Sequence, residues 1–161
     1  MIRVLFVCLG NICRSPTAEG VFRDLVQREG LDDVIETDSC GTGSWHIGKP
    51  PDSRARSEAK RRGIVLDDLR GRAVDPDDFA AFDYILAMDR QNIADLQRMC
   101  PAPHLDKMHL FLKFAPEEGR SEVPDPYYGG PDGFNDVFDL VTAGAKGLLG
   151  HIRYHHPNID T

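Results

Sequence analysis

The chain has 161 residues, enough to bury about two-thirds of its surface around one core without disulfide or metal staples. Its 41% apolar and 28% charged side chains are those of an ordinary globular protein, and a single domain over residues 1–161 is expected. The 26 acidic against 19 basic side chains, net −7, argue against a nucleic-acid or anionic-membrane surface. No apolar run approaches bilayer-spanning length, and the N-terminus carries neither a basic region nor a cleavage signal, so a cytoplasmic protein is expected.

The first element is a run of apolar, β-branched-rich residues, Ile2, Val4, Leu5, Phe6 and Val7, as a buried parallel strand requires. Ala18, Val21, Phe22, Leu25 and Val26 then recur at i, i+3, i+4, i+7 and i+8, which predicts an amphipathic helix. Ser15 is a natural N-cap for it, Pro16 a natural first residue, and Gly30 a natural stop.

Between strand and helix lies Cys8-Leu9-Gly10-Asn11-Ile12-Cys13-Arg14. A loop of this length, backed by a helix N-terminus, lets its backbone N–H groups converge on one dianion. Gly10 and Asn11 are residue types that readily adopt the left-handed backbone such a cradle needs. Arg14 adds a planar fork able to hold two oxygens at once. Cys8 stands where the amides, the helix dipole and Arg14 would all favour a thiolate. A nucleophile at the base of an oxyanion cradle is a centre for phosphoryl transfer. A bare Cys-x5-Arg arises often by chance, and a cysteine ending a strand is commonly a small buried hydrophobe. Here strand, Gly-Asn pair, Ser-Pro and helix stand in register, which sets that reading aside. Neither Gly-x4-Gly-Lys-Ser/Thr nor Gly-x-Gly-x-x-Gly is present.

Downstream, 34–39 predicts a second strand, ended by Ser39-Cys40-Gly41-Thr42-Gly43. The Gly/Pro-rich loop after it holds Trp45, the only tryptophan, either a wall for an aromatic ligand or an anchor packing a surface loop. A helix is predicted over 53–62 with Gly63 as its stop, a helical turn after Asp75-Pro76, and a third strand over 83–88. Asp89 would cap a helix through Arg98, 107–112 would be the fourth strand, and 134–151 the last helix. The segment from Phe114 to about Gly130 has no periodicity, as a functional loop often has none. Strands alternating with helices predict a doubly wound α/β domain. Within the long loop, Asp125 sits between Pro124 and Pro126, which restrict its backbone. It is a candidate general acid, though Asp-Pro is also a common turn initiator. The six histidines include His151 and His155 at i, i+4, with no further ligand at metal spacing.

The stretch Val7-Cys8-Leu9-Gly10-Asn11-Ile12-Cys13-Arg14-Ser15-Pro16-Thr17-Ala18-Glu19, with Asp125-Pro126-Tyr127-Tyr128, resembles the low-molecular-weight protein tyrosine phosphatases, and the likeness runs through essentially the whole chain. The resemblance implies a four-stranded parallel sheet in order 2-1-3-4, with helices on both faces and the Cys8 loop at its switch point. It implies hydrolysis of aryl phosphate monoesters through a phosphocysteine, with Cys8 as nucleophile, Arg14 as phosphate clamp and Asp125 as general acid and base. Leu9, Gly10, Asn11, Ile12, Cys13 and Ser15 would form the phosphate site, and Trp45, Tyr127 and Tyr128 the walls of a slot for phosphotyrosine. Cys13 would be a reversible redox partner of Cys8, and in some relatives the tyrosines are themselves phosphorylated. No cofactor or metal is implied, because Arg14 and the loop amides already neutralise the phosphoryl oxygens. The implied partner is a phosphotyrosine protein, a tyrosine autokinase among the candidates; a small aryl phosphate is the other implied substrate. Inhibition by phosphate or vanadate and a monomeric state are further expectations.

One departure stands out. Near 67–72 many relatives place a His that supports the loop's Asn, and here that position falls on Leu69, so Asn11 is expected to be held less firmly or through Ser39, with lower activity. Two rival readings remain at this point. An arsenate reductase of the same fold would relay oxidation through Cys40 or Cys100. A non-catalytic phosphate-binding or redox-sensing module would bind phosphate without releasing it from an ester.

Overall fold

The computed structural model describes residues 1–127 and 132–160. Its sheet is built from β1 (Ile2–Cys8), β2 (Ile35–Gly41), β3 (Tyr84–Ala87) and β4 (Met108–Leu110), all parallel, in the order β2-β1-β3-β4. The helices are α1 (Arg14–Arg28), α2 (Ser53–Arg61), α3 (Asp78–Ala81), α4 (Arg90–Met99) and α5 (Asp132–His155). The expected doubly wound architecture and strand order are what the structure has. Tyr128, expected on the pocket wall, lies outside the described residues.

β1 is the central strand, and its alternation divides the interior in two. Val4, Phe6 and Cys8 face one core with residues of α1, α2 and α5, while Leu5 and Val7 face a second with Phe79 of α3 and Leu96 of α4. Phe6 is fully buried and meets Phe22 and Phe111 edge-on at 5.7 and 5.3 Å between ring centres. Truncating such a ring to alanine costs about 3–5 kcal/mol. Among the described residues no helix is long and apolar enough to cross a membrane.

Several boundaries differ from expectation: β2 runs Ile35–Gly41, two residues past the expected end at Ser39. Strand β4 stops at Leu110, and Phe111–Phe114 is a 3-10 turn. A strand would have sent neighbouring side chains to opposite faces; the turn buries Phe111, Leu112 and Phe114 together, with the Phe111 ring resting on Gly144 of α5. Helix α5 is longer at both ends than the apolar stripe alone predicts. Helix α1 begins one residue before Ser15, with Cys13 in the N-cap position and no side-chain cap. Ser15 is therefore not the cap; its hydroxyl is turned inward to Cys8 and Asn11. The other end matches expectation. Gly30, at φ 70°, closes α1 as Gly30 N–H and Leu31 N–H donate to the carbonyls of Gln27 and Val26.

The winding sets where chemistry can occur. The order in which strands are added reverses between β1 and β3, with β2 laid to one side and β3 and β4 to the other, so the loops leaving the carboxyl ends of β1 and β3 open into one crevice. Cys8 ends β1, and Met88-Asp89 follows β3.

Candidate active site

The loop from Cys8 to Arg14 is pinned from both sides. Thr42 and Gly43 donate backbone hydrogen bonds to the carbonyls of Cys8 and Leu9, each 2.9 Å, and Asp52 N–H donates to Ile12 O at 2.8 Å. Gly41 permits the close approach: a Cβ there would fall 2.7 Å from Leu9 O and 3.2 Å from Asn11 N. Asn11 alone in the loop takes the left-handed conformation, at φ 57°. Gly10, expected to share it, is not in that region. The Asn11 N–H points to Cys8 Sγ at 3.3 Å, and Ser15 Oγ lies 3.0 Å from the same sulfur.

Behind the loop, the Asn11 side chain is held at both of its polar atoms. Its Oδ1 accepts from Arg72 N–H at 3.0 Å, which fixes which end of the amide is which. Its Nδ2 then donates to Ser15 Oγ at 2.8 Å and Ser39 Oγ at 3.0 Å. Asn11, expected to be held through Ser39, is thus bonded to Ser39, to Ser15 and to the Arg72 backbone.

Arg14 is buried, and its orientation is set by groups from two loops, Asp89 after β3 and Val123 and Asp125 of the long loop before α5. Nη1 donates to Asp89 Oδ2 at 2.6 Å and to Val123 O at 3.0 Å, and Nη2 lies 3.6 Å from Asp125 Oδ2. Asp89 also caps α4, accepting from Asn92 N–H at 2.8 Å, so helix capping and Arg14 placement use one carboxylate. Burial pulls the Arg14 guanidinium down, but Cys8, Asp89 and Asp125 outweigh it and raise its pKa, which keeps a full positive charge in the cradle. Asp125 has an exposed carboxylate whose Oδ1 accepts from Tyr127 N–H at 3.1 Å.

Cys8, Leu9, Gly10, Ile12, Cys13, Arg14, Asp125, Trp45 and Tyr127 line one cavity of about 500 Å³, with His46. The structure therefore brings together all of the expected site residues it describes except Asn11 and Ser15, which are buried on the inner side of the loop. Sequence reasoning missed His46, whose ring lies 6.4 Å from that of Tyr127 and against Gly10. It also missed Arg54 of α2, which bonds Asp52, donates to Tyr127 O at 3.1 Å and lies over the Tyr127 ring. Asp52 at the N-cap of α2 was the one legible signal for that arrangement. All four cysteines are free, and burial, first of all, pushes the Cys13 and Cys40 thiols up. Among the described residues no group of three or more His, Cys, Asp or Glu is placed to hold a metal ion.

Over residues 3–157 the chain matches the family profile described as low molecular weight phosphotyrosine protein phosphatase. It is 49% identical over 152 residues to the low molecular weight phosphotyrosine protein phosphatase of Schizosaccharomyces pombe, covering 94% of this chain and 97% of that one. It is 44% identical over 153 residues to the low molecular weight protein-tyrosine-phosphatase YfkJ of Bacillus subtilis, covering 95% and 97%. The crystal structure of YfkJ superposes with a TM-score of 0.92 over 97% of each chain. A protein tyrosine phosphatase from Entamoeba histolytica, crystallised with Hepes in its active site, also gives a TM-score of 0.92, at 40% identity over 98% and 99% of the two chains.

Proposed function

Because the chain belongs to the low molecular weight phosphotyrosine protein phosphatase family, we propose that it removes phosphate from phosphotyrosine through a covalent phosphocysteine. The observation that carries this reading is the meeting of Cys8, Arg14 and Asp125 on one cavity, with Arg14 Nη2 3.6 Å from the Asp125 carboxylate. The Cys8 thiolate attacks phosphorus, and the S–P bond forms as the P–O bond to the phenol breaks. Asp125 gives its proton to the leaving oxygen. Arg14 and the loop amides hold the equatorial oxygens, where charge is concentrated in the transition state. In the second step Asp125, now ionised, takes a proton from water. The water oxygen attacks phosphorus, the S–P bond breaks and the thiolate is restored. The Ser15 hydroxyl donates to the sulfur, stabilising it as attacker and as leaving group.

The slot supports the choice of ester. Trp45 and Tyr127 line the same cavity as Cys8, and two aromatic side chains beside the nucleophile suit the flat ring of phosphotyrosine better than the shorter phosphoserine. The substrate is a phosphotyrosine protein, a tyrosine autokinase being one partner of suitable chemistry. The working state is a monomer in a reducing cytoplasm, inhibited by phosphate or vanadate. Cys13 lies in the same loop and serves as resolving thiol: peroxide converts Cys8 to a sulfenic acid, and Cys13 condenses with it, releasing water.

Hydrolysis of p-nitrophenyl phosphate, its block by vanadate, and comparison of phosphotyrosine with phosphoserine peptides test the reading. Release of phosphate from the aryl ester but not from phosphoserine is expected. Vanadate binding without any hydrolysis would leave a binding module instead.

A further inference from the structure

Glu19 is the one buried acidic side chain near the cradle that the reaction scheme does not use. It lies on α1, 7% exposed, and its Oε1 accepts from Ser39 Oγ at 2.7 Å. Four hydrogen bonds run in series from it: Glu19 to Ser39, Ser39 to Asn11 at 3.0 Å, Asn11 to Ser15 at 2.8 Å, and Ser15 to Cys8 Sγ at 3.0 Å. The hydrogens along this chain follow outward from the Asn11 amide. Arg72 N–H occupies Asn11 Oδ1, so both hydrogens of Asn11 Nδ2 go to the two serine oxygens. Ser39, already accepting from Asn11, has its own hydrogen free for Glu19. Ser15, likewise accepting from Asn11, can turn its hydrogen to Cys8 Sγ at 3.0 Å or to the Cys40 carbonyl at 3.4 Å, and a thiolate, as the charged acceptor, draws it to the sulfur.

We infer that Glu19 is a positioning residue for the phosphatase reaction, whose carboxylate sets the direction of this chain and so holds Asn11 and Ser15 in the orientation that serves the Cys8 thiolate. Ionised, Glu19 is a pure acceptor and makes a charge-assisted bond that fixes the Ser39 hydrogen toward it, leaving the Ser39 oxygen to Asn11. Protonated, it can donate to Ser39 instead, and then competes with Asn11 for the same oxygen. Each bond in such a series polarises the next, so the change is felt at Ser15.

The surroundings place this change within the working pH range. Burial, above all, raises the Glu19 pKa to about 7, with Asp38 of β2 and Asp68 of the 64–72 segment adding to it. The Ser39 hydrogen bond and Arg23 of α1 oppose the rise. Arg23 is committed to Asp68, at 2.8 and 3.1 Å, and Asp38 is paired with Arg72, which also holds Asp78. No cation is left bonded to Glu19 itself among the interactions of the described residues. The inference rests on the phosphatase reading of the site.

The test is the ratio of kcat/KM of the wild-type protein to that of Glu19→Gln for p-nitrophenyl phosphate from pH 5.5 to 8.5, in which ionisation of the substrate cancels. Thermal melts at pH 6 establish that the variant folds. The ratio should stay near one below pH 6 and rise roughly fivefold above pH 8, as a charge-assisted hydrogen bond outweighs a neutral one. In a Ser39→Ala background the same Glu19→Gln change should give a flat ratio. A ratio that is flat in the wild-type background, or that falls with pH through simple repulsion of the dianion, overturns the inference. So does a rise that survives Ser39→Ala. The Glu19 carboxyl carbon, assigned by difference against Glu19→Gln, should titrate near pH 7, and a midpoint near 4.5 would also overturn it. No hydrolysis by the wild-type protein would instead sink the phosphatase reading, while leaving the carboxyl titration measurable.

Discussion

The two sides of the Cys8 loop are built on opposite principles. On the inner side Asn11, Ser15, Ser39 and Glu19 are all buried, and the Asn11 amide has a partner at each polar atom. On the outer side Trp45 is 66% exposed, Tyr127 37%, and the Asp125 carboxylate is held by one backbone N–H and by Arg14 at 3.6 Å. The comparison separates two tasks. Stabilising a phosphoryl group requires dipoles that do not reorient as charge develops, which dense buried bonding supplies. Passing a proton to a departing oxygen and admitting a substrate require a group that can approach and withdraw, which an exposed loop supplies. Asp52 and Arg54 bridge the two sides, one bonded to Ile12 O and the other to Tyr127 O.

The largest break comes from the nucleophile. Cys8→Ser should lower turnover of aryl phosphates by at least about 10⁴-fold, because a serine hydroxyl has no base beside it to activate it. Phosphate binding, measured by calorimetry, should survive, since the cradle amides and Arg14 are untouched. A variant that retains a tenth of the activity would remove Cys8 from its role. On the outer side, Asp125→Ala should cost roughly 10²–10³-fold for phenols of high pKa and far less for nitrophenols, which need little proton assistance. Equal losses across a leaving-group series would mean that Asp125 acts through Arg14 instead.

Asp89→Ala tests the joint between inner and outer sides. It strips Arg14 of its 2.6 Å partner and α4 of its cap. Breaking a mostly buried pair, discounted for the partial exposure of Asp89, should cost on the order of 2 kcal/mol of stability, read from urea unfolding. Activity should drop with it through KM for phosphate esters. Asp89→Asn keeps a cap but not the charge, and should recover the stability more than the activity.

The unequal bonding also governs what could be read from the chain alone. The strands and the cradle were legible because they are local, an apolar run, a 3.6-residue stripe, and Cys8 to Arg14 between them, whereas the sheet order came only through the resemblance. Asp125 was legible through its prolines and the Tyr127 that follows. The long-range partners were not. Ser39 was expected beside Asn11 only through the resemblance, and nothing in the spacing of Glu19 and Arg72 marks them as its neighbours, because the packing of α1 against β2 and the 64–72 segment creates those contacts. Arg54 and His46 were obscured for the same reason. Ser15 misled as a cap because Ser-Pro is a helix-start signal whether or not its hydroxyl has other work.

The inner side also predicts a pH dependence of stability. Glu19 ionises near pH 7 when folded but near its ordinary 4.5 when unfolded. Its raised pKa means the folded state binds the extra proton, so this contribution to stability is fully present below pH 4.5 and is lost as pH rises through about 7. The loss should be on the order of 2–3 kcal/mol across that window. Glu19→Gln should remove that slope from urea unfolding measured between pH 5 and 8. An unchanged slope would assign it to other groups.

The smallest effect belongs to the rim. Trp45→Ala deletes a side chain that is two-thirds exposed, so stability should change by no more than about 0.5 kcal/mol. If the indole is a wall for the substrate ring, KM for phosphotyrosine peptides should rise roughly threefold to tenfold, the worth of one aromatic contact, with kcat nearly constant. Acetyl phosphate, which has no ring, should not notice the change. A KM shift of equal size for both substrates would show that Trp45 acts by holding the 43–49 loop against the cradle. The sharp division between a rigid inner side and a permissive outer one would then extend to the rim.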